Sequence, residues 1–130
     1  MRVLPITAAT CLCAAGVASA SDLTVPLPDV PSVAQEVIQY QCGSGVPKMG
    51  LPTRPFPVTY LNAGENHLAV IEIGGTRVIF VSVSSGSGTR YVSGHYTWWD
   101  APGRGTFLAA ELPTDLGGVQ SVQCRKVGSP

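Results

Sequence analysis

The sequence has little charge, few aromatic residues and, beyond its first twenty positions, no long apolar run. Charged residues are 12% of the 130 and divide evenly, eight Lys and Arg against eight Asp and Glu. That balance excludes a basic patch for nucleic acid and an acidic run for long-range steering, so a partner must be recognised by shape and local hydrogen bonds. Histidine is nearly absent. His67 and His95 lie apart, without an acidic cluster beside either, which argues against a metal site. No helical period runs through the chain after residue 20.

The apolar run that does exist, Val3 to Val17, is too short to cross a membrane. With Arg2 ahead of it and Ala18-Ser19-Ala20 behind it, residues 1–20 read as a signal peptide cleaved after Ala20. Cys11 and Cys13 sit inside that run, and neither has the Leu-small-small setting of a lipid-attached cysteine, which points to no membrane anchor. Removing Arg2 with the leader leaves seven Lys and Arg against eight Asp and Glu, a formal charge of −1. It also leaves two cysteines, Cys42 and Cys124. An even count in an exported chain reads as a disulfide. A loop of about 80 residues closed in this way gives roughly 4.5 kcal/mol in the chain-entropy account.

Residues 21–35, with Pro26, Pro28 and Pro31, read as an extended tether. From Glu36 to Cys42 the pattern alternates, with Ile38, Tyr40 and Cys42 on one face and Gln39 and Gln41 on the other, as in a half-buried strand. Gly43 to Pro57 carries four prolines and three glycines, and reads as an irregular surface insertion without strand. After it, strands are expected at 58–62, 67–73, 77–83, 89–93, 95–99, 106–112 and 120–124, separated by turn residues such as Gly74-Gly75. Eight short strands in about ninety residues indicate an all-β domain over 36–127. The expected form is an antiparallel sandwich or closed barrel, with a first-to-last-strand disulfide favouring closure.

One stretch stands out. Ser84-Ser85-Gly86-Ser87-Gly88-Thr89-Arg90-Tyr91 runs directly into Gly94-His95-Tyr96-Thr97-Trp98-Trp99, a small-residue loop beside the heaviest aromatic cluster. Ser87, between two glycines, carries a hydroxyl that both donates and accepts, on a loop slim enough for a narrow cleft. Arg90 adds a planar fork for a carboxylate. Tyr96 and Trp98 share one strand face and Trp99 takes the other, so one tryptophan fills the core while the other is a candidate interface anchor. A Ser87, His95 and Asp100 catalytic set is conceivable, but the spacing gives it no support. Composition alone reads the loop as an ordinary flexible hairpin connection.

Taken together, Tyr40-x-Cys42, Val58-x-Tyr60-x-Asn62, Ser87-Gly88-Thr89-Arg90-Tyr91, Gly94-x-Tyr96-x-Trp98-Trp99 and Cys124 resemble the MliC/PliC family of bacterial inhibitors of c-type (chicken-type) lysozyme. The resemblance covers residues 38–124, and the Ser-Gly-small-Lys/Arg-Tyr block is its most specific part. It implies an eight-stranded antiparallel barrel with a Cys42–Cys124 disulfide, no enzyme activity, no cofactor and a periplasmic location. It also implies a mechanism, in which Ser87 enters the lysozyme cleft and hydrogen-bonds the catalytic Glu and Asp. Gly88, Thr89, Arg90, Tyr91, Tyr96 and Arg104 complete the implied contact set. The family usually has Lys-Gly shortly after the Trp, whereas Ala101-Pro102 stands here, so Arg104 or the 43–57 insertion would have to replace that lysine. Exposed barrel aromatics leave a homodimer open. The competing readings are a barrel holding a small apolar ligand and a structural envelope protein.

Overall fold

The computed structural model describes residues 19–128 together with Val3 and Gly16, so most of the expected leader lies outside the described residues. Eight strands follow one another around a closed antiparallel barrel: β1 (Ala34–Cys42), β2 (Phe56–Ala63), β3 (Asn66–Ile73), β4 (Thr76–Val83), β5 (Thr89–Ser93), β6 (Tyr96–Ala101), β7 (Gly105–Glu111) and β8 (Val119–Lys126). Each pairs with its sequence neighbour, and β8 returns to β1 through Tyr40↔Lys126, Gln41↔Arg125 and Cys42↔Cys124. The Cys42–Cys124 disulfide, with a sequence separation of 82, lies in that closing seam. Closure leaves most backbone groups paired and removes most of the sheet edge.

The alternation read in the sequence decides which side chains turn inward. Tyr40, Val58, Ile71, Phe80, Trp98 and Leu108 are the largest fully buried side chains, and they fill the barrel interior from six different strands. The space needed for a small apolar ligand is occupied by these residues. At about 0.8 kcal/mol per buried CH2, this packed interior is the main source of stability. Its polar groups are paired within it: the Trp98 indole N–H donates to the Tyr60 hydroxyl at 2.8 Å, and the Tyr60 and Tyr40 hydroxyls share a hydrogen bond of 3.0 Å. Burial pushes the Tyr60 phenol above its ordinary value, with the Tyr40 hydrogen bond adding to the shift.

The segment between β1 and β2 differs from its sequence reading. It is not a plain surface insertion, because Val46–Met49 forms a one-turn helix, α1, and Val46, Met49 and Leu51 are buried in the core cluster. The Gly74 N–H donates to the Gly50 carbonyl at 2.7 Å, tying the segment to the β3–β4 turn. A four-residue helix has no periodicity to read, and its burial arises entirely from tertiary packing. Strand ends also moved. β1 begins at Ala34, inside the expected tether, and β2 begins at Phe56, inside the expected loop. His95 sits in the β5–β6 turn, outside the strand that begins at Tyr96.

Candidate functional site

Strand direction sorts the connections into two sets. The β2–β3 turn, the β4–β5 loop and the β6–β7 turn share one barrel end with the start of β1 and the finish of β8. The α1 segment, the β3–β4 turn, the β5–β6 turn and the β7–β8 connection lie at the other. Ser84–Gly88, between β4 and β5, is therefore on the opposite end from α1.

Three contacts fix the loop's shape. The Ser85 hydroxyl donates to the Ser87 carbonyl at 2.6 Å, and the Trp99 indole N–H donates to the same carbonyl at 3.0 Å. Gly88 adopts φ +67°, and a Cβ there would collide with the Asp100 carbonyl oxygen and come within 2.7 Å of Pro102 Cδ. Only glycine fits so close to the β6–β7 corner. With its carbonyl held by these two donors, Ser87 is exposed, and its hydroxyl makes no hydrogen bond among the described residues.

The same close approach brings Arg104 near. The Arg104 N–H donates to the Ala101 carbonyl at 3.0 Å, closing a tight turn through Gly103 (φ +73°), and the Gln123 side chain donates to the Arg104 carbonyl at 2.8 Å. The turn so pinned leaves Arg104 exposed at the loop's end of the barrel. Arg90 stands on the outer wall in register with Val83 and Trp99. It helps line an open depression of about 420 Å³ beneath the loop, with Ser87, Thr97, Trp99 and Glu111. Thr89 is exposed at the start of β5. Just inside the loop, Glu36, Tyr91, Asp100 and Lys126 border a smaller opening of about 200 Å³ at the barrel mouth, where Lys126 Nζ lies 3.9 Å from Asp100 Oδ2.

The structure thus places Ser87, Gly88, Thr89, Arg90 and Arg104 at one barrel end, with Tyr91 buried beneath the loop there and Tyr96 at the other end. Tyr91 points into the barrel, 8% exposed, with its ring 5.6 Å from Tyr60. Burial, and secondarily the Asp100 carboxylate, raise its pKa. Tyr96 faces inward at the opposite end, 6.4 Å from Phe80 and 4.0 Å from the His95 ring. His95 is at that far end too, so Ser87, His95 and Asp100 do not assemble into a catalytic set. The insertion bearing α1 lies at the barrel end away from Ser87, while Arg104 lies at Ser87's end. Trp98 proves to be the core tryptophan. Trp99 is turned to the loop, a role the sequence pattern did not disclose.

The fold is thus a side-chain-filled eight-stranded barrel with a braced, hydroxyl-bearing loop at one end. A family model described as membrane-bound lysozyme-inhibitor of c-type lysozyme, MliC, matches residues 40–112, and the chain belongs to this family. A membrane-bound lysozyme inhibitor of C-type lysozyme from Cupriavidus necator is 38% identical over 82 residues, 63% of this chain and 55% of that protein. One of the same description from Pseudomonas aeruginosa is 35% identical over 74 residues, 56% of this chain and 52% of that one. The chain spans about half the length of these curated relatives. The crystal structure of Pseudomonas aeruginosa MliC in complex with hen egg white lysozyme matches with a TM-score of 0.59 at 29% identity, covering 85% of this chain and 99% of that one. Among the described residues, no helix is long and apolar enough to cross a membrane.

Proposed function

We propose that this protein inhibits c-type lysozyme by inserting the Ser84–Tyr91 loop into the enzyme's active-site cleft, and that it acts in the periplasm to protect the cell wall. The observation that carries the reading is the exposed Ser87, its hydroxyl free of hydrogen bonds among the described residues, on a loop whose carbonyl is already held by Ser85 and Trp99. Lysozyme chemistry uses one protonated and one ionised carboxyl. A single hydroxyl between them donates to the ionised group and accepts from the protonated one, and its presence excludes the sugar. The slim Gly86 and Gly88 flanks keep the loop narrow enough for a cleft.

Arg104 and Arg90 are assigned as the cationic contacts at the loop's margins, with Thr89 between loop and barrel wall. Arginine gives a charge-assisted, forked hydrogen bond to a carboxylate. Tyr91 serves as buried support under the loop, and Tyr96 is left out of the contact set because it faces the far interior. The proposed periplasmic location rests on the proposed leader at 1–20.

The direct test is a cell-wall turnover assay of c-type lysozyme with and without the purified chain. Inhibition saturating at a one-to-one ratio is expected; undiminished turnover at high micromolar protein would refute the reading. Ser87→Ala is expected to weaken inhibition at least tenfold while leaving the thermal midpoint almost unchanged, and equal inhibition by that variant removes Ser87 from the mechanism.

A further inference from the structure

Trp99 was the surface tryptophan left unassigned by the strand pattern, and its indole is spent on the chain itself. The N–H reaches across 12 positions to the Ser87 carbonyl at 3.0 Å, and Ser85 Oγ occupies the same oxygen at 2.6 Å. A carbonyl has two lone pairs, and both are engaged. Trp99 is itself fixed on the outer wall, in register with Arg90 on one side and Phe107 on the other. Gly88, packed against the Asp100 carbonyl, closes the loop from below. A five-residue Ser-Gly loop without these ties would sample many conformations, because glycine has the largest backbone freedom to lose.

We propose that Trp99 is a positioning residue: by holding the Ser87 carbonyl against the barrel's outer wall, it fixes the direction of the Ser87 hydroxyl before any partner arrives. Trp99 acts through Ser87 and not through a contact of its own. This rests on the loop-insertion reading above, and extends it from which residue inserts to what sets that residue's direction. A preformed loop loses little freedom on binding, so the brace favours affinity without adding a contact. Ser85 is the second half of the same device.

The test uses Trp99→Phe, which keeps an aromatic ring on the wall and removes the N–H, beside Ser85→Ala, Ser87→Ala and the Trp99→Phe/Ser87→Ala double variant. In the free protein, the backbone amide order parameters at Ser85–Gly88 are expected to fall in Trp99→Phe, from about 0.85 to below about 0.6, as the loop is released. Inhibition is expected to weaken by about five- to twentyfold, with the thermal midpoint little changed. In the Ser87→Ala background the same Trp99→Phe change should cost less than about threefold, because the hydroxyl it aims is gone. Equal loss in both backgrounds would make Trp99 an independent contact and overturn the proposal. Unchanged loop order parameters in Trp99→Phe would overturn it as well. The relaxation measurement needs no lysozyme, so a chain that fails to inhibit at all sinks the loop-insertion reading while the brace is still judged on its own.

Discussion

Ser87 and Gly88 do different jobs one position apart. Ser87 is the residue proposed to insert, and Gly88 makes the approach to the β6–β7 corner that holds it there. Gly88→Ala would place a methyl against the Asp100 backbone carbonyl at a positive φ, and backbone cannot move aside as a flexible side chain can. We expect it to displace the loop, to weaken inhibition more than Ser87→Ala does, and to cost about 1–3 kcal/mol of stability by denaturant titration. Inside the barrel, Tyr60→Phe removes the acceptor of the Trp98 indole and leaves a buried N–H unpaired. Its expected cost is also about 1–3 kcal/mol, read as a shift in the unfolding midpoint with inhibition intact at 25 °C. The glycines beside Ser87 made a slim loop legible in the sequence, while the use of that loop was read from the family resemblance alone. It did not distinguish the two adjacent tryptophans, because parity assigns them to opposite faces without saying which face is interior.

At the scale of elements, the strands were legible because period-two alternation and glycine turns are local signals. β5 was read to its ends, at Thr89–Ser93, since a glycine bounds it closely on each side. The β1–β2 segment was not legible. Its prolines and glycines exclude a long regular element, but they do not reveal that Val46, Met49 and Leu51 cap the interior. That burial is a property of the closed barrel, visible only once the strands have formed. Met49→Ala is accordingly expected to destabilise by about 2–5 kcal/mol, comparable to other truncations in a packed interior. Below the lowered melting transition, inhibition should be retained, because α1 and the Ser84–Gly88 loop occupy opposite ends. Loss of inhibition without loss of stability would show that the two ends communicate.

The molecule as a whole depends on its closing seam. β1 meets β8 through three registered pairs, against seven for β1 with β2, and the disulfide lies among those three. Replacing both cysteines by alanine is expected to lower the thermal midpoint by on the order of 10–20 °C, from the loop-entropy estimate and the usual conversion for a domain of this size. A second whole-molecule property is alkaline sensitivity. Burial raises the Tyr40, Tyr60 and Tyr91 phenols above their ordinary 10.0. Above pH 10 the unfolded chain loses these protons first, so it binds fewer protons than the folded one and stability falls with rising pH. Below pH 10 both states keep them and the contribution is constant. The unfolding midpoint should therefore decline above pH 10, with delayed phenolate absorbance in the folded protein.

An even number of alternating strands has a practical corollary for anyone handling the protein. Whatever is joined ahead of Ala34 or behind Lys126 emerges beside the Ser84–Gly88 loop, because β1 starts and β8 finishes at that end. An affinity tag, a fusion partner or a surface linkage at either terminus would crowd the face proposed to dock. Labels and attachment points belong instead at the far rim, at an exposed position such as Thr76, beside the Gly74-Gly75 turn but outside its positive-φ glycines.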